Sequence, residues 1–399
     1  MRADAALADR NASVRAAARS WQKAEAIDEP TLKAIEAAVP DDRHRVGPVF
    51  RVLLFLFSVL AISGGFGFVL LLVLEPLKDE GWGFAVMAIL TGIALTVLTE
   101  LQIGRLKRSQ GGTEAATSFA ALGFLMGGVA WFVFDPLDLP DDRAIPALLL
   151  LAAVLLAAAA WRWGYPLYAG LAAASLLAAL TYVPGGRLLW IVLALLAAPF
   201  LMRRSDSERL PPALRHCFTA VLIVALIGLY LAVHLGSFDL GAIELVRRSF
   251  RDLGPASKIG TLRWLSIAAT ALVPVVYLAI GIRTRRYPFL IVGLGTAIAS
   301  LFTLRIYVHL APLWVVLTLS GAALIAVVFA LRRYLDSGPA KERGGFTAEP
   351  LFEDLARQRL LEVGVAVASF SPDARTVRDE PKFAGGGGEF GGGGSSSEF

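Results

Sequence analysis

Two basic side chains stand one helical turn apart near the end of an apolar run, Arg305 and His309 in "LFTLRIYVHLAP". A spacing of four puts both on one face of a helix. Ionisable groups at membrane depth are costly to bury and are the first places to look for function. Arg305 is the strongest such candidate, because its charge must snorkel outward or find an acceptor among neighbouring helices. His234, near the end of another apolar run, reads either as a hydrogen-bonded interfacial imidazole or as a proton-handling group. Glu75 and Glu100 sit at the ends of apolar runs and read as solvated carboxylates. A further set of cations, Arg247, Arg248 and Arg251, lies in "GAIELVRRSFRDLG", where Ile243, Val246, Phe250 and Leu253 share a different helical face. That pattern suits a helix lying in the membrane interface, or, as a sharper alternative, a vestibule that attracts an anionic solute.

Other chemistries are missing from the sequence. It contains no GxxxxGK[ST] phosphate loop, no HExxH or Cys/His cluster and no GxSxG elbow, and its single cysteine, Cys217, permits neither a disulfide framework nor a CxxC pair. Cys217 is most simply a small buried apolar residue. No catalytic activity, metal or cofactor is therefore expected, and nothing calls for nucleic acid.

The elements that must position these residues follow from composition. With 56% hydrophobic and only 18% charged residues over 399 positions, the chain is too apolar for an ordinary soluble enzyme. Ten apolar stretches predict spanning helices at about 51–74, 82–101, 117–134, 145–161, 165–183, 187–202, 217–236, 262–282, 287–308 and 312–331. A helix of roughly 20 residues covers about 30 Å of hydrocarbon while bonding its own backbone. The expected fold is an all-α, polytopic transmembrane bundle over residues 51–331, between a helical leader (1–50) and a tail (332–399). Within the leader, Asp28 can cap a helix whose first turn holds Pro30.

Basic residues set the expected orientation. "RLKR" from Arg105, "RRSDSERLPPALR" from Arg203 and "RTRR" from Arg283 fall on one side, with the leader. Loops such as "EPLKDEG" and "PGGR" on the other side hold one basic residue each. Both termini are thus expected in the cytoplasm, with the arginine-rich segment 237–261 as the exception.

An internal likeness organises the spans. "LWIVLALLAAPFLMRRSDS" from Leu189 resembles "LWVVLTLSGAALIAVVFALRRYLDS" from Leu313, and the helices before them open on Tyr165-Pro166 and Tyr287-Pro288. "FAALGFLMGGVAWFVFDPLDL" from Phe119 loosely matches "FTAVLIVALIGLYLAVHLGSFDL" from Phe218. Spans three to six would repeat as seven to ten, in parallel, as in many transporters. Shared Leu, Ala and Val content is the alternative explanation. Pro274 should kink the eighth span.

The leader positions Trp21, Ile27, Leu32 and Ile35 carry a resemblance, as does the stretch Gly92 to Phe132 with its Gly112-x-Glu-Ala start. Both are similar to a bacterial family of multi-pass membrane proteins known only as a domain of unknown function. The likeness covers residues 15 to about 135. It implies a short helical leader before the first span and a basic loop between spans two and three, and it brings no activity and no site residues.

In the tail, "EPLFEDLARQRLLEVGVAV" reads as an amphipathic helix with Leu351, Leu355 and Leu361 on its apolar side. "FAGGGGEFGGGGSSSEF" then reads as a mobile end whose contact points are Phe383, Phe390 and Phe399, or as a linker scar. The function expected is transport or permeation of a small solute across a bacterial inner membrane. The alternative is a membrane scaffold that meets a protein partner through its cytoplasmic ends. Besides the lipid bilayer, a small solute or such a protein is the partner expected.

Overall fold

The computed structural model describes residues 3–41, 43, 46–73, 82–107, 111–135, 137–183, 185–234, 260–308, 313–338, 342–343 and 346–347. Helix dominates because Leu, Ala and Val fill long stretches that Gly and Pro punctuate at the ends. A leader of two helices, α1 (Ala3–Lys23) and α2 (Glu29–Ala38), precedes α3 (Pro48–Val73), α4 (Trp82–Gly104), α5 (Thr113–Phe134) and α6 (Asp141–Trp163). Then come α7 (Pro166–Leu180), α8 (Gly186–Ser205), α9 (Pro212–Val233), α10 (Gly260–Thr284), α11 (Tyr287–Val308) and α12 (Leu313–Asp336). Every expected span is a helix, close to its expected bounds.

Among the described residues, eight helices, α3 to α6 and α8 to α11, are long and apolar enough to cross a membrane. The protein is a multi-pass membrane protein built as an all-α bundle. The expected span at 165–183 is the shorter α7, whose 15 residues reach only about 22 Å. Its last residues turn instead of coiling on: Thr181, Tyr182 and Val183 donate to carbonyls only three back, at Ala178, Ala179 and Leu180. Val183 also precedes Pro184, which disfavours helical backbone at the residue before it.

Packing follows small residues. In α4 and α5 the backbones nearly touch: a Cβ added at Gly92 would lie 2.7 Å from Leu125 Cγ, and one at Gly128 2.8 Å from the Ala85 carbonyl. The pairs α6–α7, α8–α9 and α10–α11 are antiparallel hairpins, and α7 also packs on α9. A core of Leu201, Leu222, Leu226, Tyr230, Tyr277, Phe289 and Val292 joins α8 to α11. Helix α3 leans on α5 and leaves Phe57, Leu60 and Leu71 exposed, as a lipid-facing helix does.

The leader is docked. The Asp9 carboxylate accepts the Ala213 amide at 2.9 Å, at the start of α9. Arg43, whose side chain is only 3% exposed, donates to the Ile103 carbonyl at the end of α4 and pairs with Asp4 at 3.2 Å. Glu36 on α2 pairs with Arg19 on α1 at 2.7 Å. As expected, Asp28 caps α2, its carboxylate accepting the Thr31 amide at 3.1 Å. The bundle end that carries the leader is called the leader end below, and the opposite one the far end.

The chain divides into Met1–Ile325 and Ala326–Phe399. In the second unit β1 (Glu342–Arg343) pairs antiparallel with β2 (Phe346–Thr347), Glu342 opposite Thr347. The expected amphipathic helix with Leu351, Leu355 and Leu361, and the glycine-rich end with Phe383, Phe390 and Phe399, lie outside the described residues.

Candidate functional site

The polar groups inside the apolar helices gather in a seam between α9, α10 and α11. Its origin is local. Pro274, fully buried in α10, has no N–H, so the Thr270 carbonyl four residues back loses its helical donor. Ser300 on α11 fills that place, donating its hydroxyl to the Thr270 carbonyl at 2.6 Å. With that proton committed, Ser300 accepts from the Tyr230 hydroxyl of α9, 2.8 Å away. Tyr277 on α10 donates back across the same interface to the Leu226 carbonyl at 2.8 Å. The expected proline site is thus cross-braced by two hydroxyl links.

One turn toward the far end, His234 sits at the C-cap of α9, its ring centroid 4.8 Å from that of Tyr230. Its Nε2 lies 2.8 Å from the Thr303 hydroxyl on α11. Beside it, Arg187, from the first turn of α8, donates through Nε to the Ala232 carbonyl. The C-terminal turn of a helix carries exposed carbonyls and partial negative charge, which is where a guanidinium is best accommodated. Arg187 and His234 are 7% and 8% exposed, so a cation and an imidazole are buried together above a ladder of hydroxyls. Toward the leader end Leu222, Leu226 and Phe289 fill the bundle, and the seam is shut there.

Of the ionisable residues singled out in the sequence, His234 is the one the structure places in this seam. Arg305 falls in α11, but its side chain lies outside the described residues, as do His309, Arg247, Arg248 and Arg251. The expected interfacial helix around Val246 and Phe250 lies there too. Glu75 is likewise outside them, whereas Glu100 is no merely solvated carboxylate. It accepts two bonds from Arg162, at 2.8 and 2.7 Å, and one from the Trp163 indole at 3.0 Å, tying α4 to α6.

Besides Arg43, the buried ionisable residues Arg187 and Glu114 escaped the sequence reading. Arg187 counts there only as a loop charge in "PGGR". The signal was available in the two glycines before it, which start α8 so tightly that a Cβ on Gly186 would collide with the Leu180 carbonyl. Glu114 is fully buried at the first turn of α5, where Oε1 accepts the Gly111 amide at 2.6 Å. An acid in a first helical turn is favoured by the helix dipole. Near it Thr99 and Thr117 lie 3.1 Å apart, as do Thr117 and Gln102, while Tyr168 of α7 and Ser118 of α5 are linked at 2.6 Å.

A cavity of about 480 Å³ between α6, α7 and α9 is lined by apolar residues such as Leu150, Ala157, Leu176, Cys217 and Val221, so it suits hydrocarbon rather than a polar solute. Among the described residues no group of three or more His, Cys, Asp or Glu side chains is placed to hold a metal ion. Comparison with known proteins gives no matching family model, no matching curated protein and no matching solved structure.

Proposed function

We propose that this multi-pass membrane protein moves a small anionic solute, admitted at the far end beside Arg187 and His234. In this reading the membrane is a bacterial inner membrane with the leader end in the cytoplasm, and the chain belongs with the family that residues 15 to about 135 resemble. The observation that carries the proposal is the burial of Arg187 and His234 side by side, above the hydroxyls of Tyr230, Thr303 and Ser300. A guanidinium in a low-dielectric site attracts an anion far more strongly than it does in water, and hydroxyls can replace part of the solute's hydration. Because Leu222 and Leu226 close the path below, transport requires helix movement, for which the braced proline in α10 is the weak point. A scaffold acting through the leader is less well supported, since Asp9 and Arg43 are already engaged on the bundle.

The test is uptake into liposomes that contain the purified chain, across a panel of small organic and inorganic anions. Saturable uptake of at least one anion is expected, falling about tenfold or more in Arg187→Gln, the equivalent of about 1.4 kcal/mol. Folded protein that moves no member of the panel, or an Arg187→Gln variant with unchanged uptake, overturns the proposal.

A further inference from the structure

At the leader end another cavity, polar and of about 340 Å³, opens between the α8–α9 and α10–α11 turns. Its lining includes Ser205, Asp206, Arg215, His216, Thr219 and Arg286. The site is built rather than incidental. Arg286 is held in place, donating to the Met202 carbonyl at 3.1 Å and pairing with Asp206, which belongs to the α8–α9 turn. That pair engages Asp206, the acid of the cavity lining.

Arg215 is the important one. It is half-buried, and among the described residues its guanidinium is in no ion pair. It lies in the first turn of α9, next to His216, where the helix dipole disfavours a cation and the Asp9 carboxylate already takes the Ala213 amide. A half-buried cation beside an ordered second guanidinium, in a polar cavity, is complementary to a compact oxyanion. The surrounding turns add exposed Arg203, Arg204 and Arg283, which raise the local potential. Basic cavities between helix ends at headgroup level are suited to phosphate groups.

We infer that this cavity binds a phosphate monoester or diester, with Arg215 as its principal ligand and Arg286 as the ordered second donor. Two sources share that chemistry, the headgroup of an anionic phospholipid and soluble phosphate. The site lies at the opposite end of the bundle from Arg187 and does not depend on the transport proposal.

The experiment titrates the full chain in neutral detergent with short-chain phosphatidylglycerol, with short-chain phosphatidylcholine, and with inorganic phosphate at matched ionic strength, and reads bound ligand by native mass spectrometry and tryptophan fluorescence. Saturable binding of phosphatidylglycerol, or of phosphate, is expected, and which of them binds identifies the source. Arg215→Gln should weaken it about tenfold or more, Arg215→Lys less, and Arg283→Gln, on the exposed rim, little. Unchanged helicity by circular dichroism certifies that each variant is folded. Absence of saturable binding to either anion, equal binding of phosphatidylcholine, or equal losses in Arg215→Gln and Arg283→Gln overturns the inference, the last by showing a diffuse surface potential in place of a site.

Discussion

The hairpins α6–α7 and α10–α11 both turn into a Tyr-Pro pair, yet they solve the problem of close packing differently. In the first, Gly164 makes the turn with φ 77, and alanines such as Ala159, Ala160 and Ala169 form the contact. In the second, Arg285 takes the left-handed conformation at φ 55, a strained choice for a non-glycine residue, and glycines form the contact. The polar ties differ as well. Tyr168 of α7 meets Ser118 of α5, whereas Tyr230 of α9 meets Ser300 of α11, so tyrosine and serine stand on opposite partners. The cause lies in the prolines: Pro146 is near the start of α6, but Pro274 is deep in α10 and takes a helical donor from the Thr270 carbonyl, which a hydroxyl from α11 serves. The lesson is that the second hairpin carries its own serine to serve a proline-freed carbonyl, while the first meets a serine of α5 only as an extra link.

That difference can be broken by mutation. The largest effect is expected for Ser300→Ala, which leaves the buried Thr270 carbonyl without its donor and should cost about 1–3 kcal/mol in thermal unfolding in detergent. Adding Pro274→Ala returns a backbone N–H to that carbonyl and should recover most of the loss; a double variant no more stable than Ser300→Ala would refute the account. Next, Gly281→Ala should destabilise by about 1–2 kcal/mol, because its new methyl would lie 2.7 Å from Leu290 Cδ2 and 3.0 Å from the Leu290 amide. Gly170→Ala in α7 meets nothing closer than Val224 Cγ2 at 3.7 Å and should instead stabilise by up to about 1 kcal/mol. Equal signs for the two glycine changes would erase the contrast between the hairpins.

Smaller still, Tyr168→Phe removes one hydroxyl while Ser118 keeps the Ala115 carbonyl as its partner at 2.9 Å, and a loss near 0.6 kcal/mol is expected. The least effect lies outside both hairpins and serves as a control. The Thr31 hydroxyl, and then its amide, hold the Asp28 carboxyl below the ordinary carboxylate range. A depressed value means that the cap is fully in force above the unfolded value of about 3.9 and is lost as pH falls through the folded one. Protection of α2 amides from hydrogen exchange should therefore drop below about pH 4, with that of α10 and α11 unaffected over the same step.

Hydropathy locates a residue along the membrane normal but does not say which way it faces around a helix. For that reason the spans were legible from the sequence and the seam was not. His234 could be picked out because it interrupts an apolar run. The role of Thr270 could not, since threonine is tolerated in any such helix and only Pro274 four residues later makes its carbonyl matter. Arg187 and Glu114 were hidden for a related reason: loop charges are counted by sign when orientation is read, and burial does not enter that count. Glu100 looked like a terminal carboxylate because its partners, Arg162 and Trp163, are some 60 positions away in the chain.

The seat of the leader also fixes an order of events. Asp9 is made well before the amide it caps, which belongs to Ala213, 204 positions later. During synthesis at about 5–20 residues per second, the leader must wait some tens of seconds for that seat to exist. Its docking therefore marks a late checkpoint in assembly, reached only after α9 has entered the membrane. A nascent chain halted before α9 should leave Asp9 more reactive to carboxylate-labelling reagents than a finished one does.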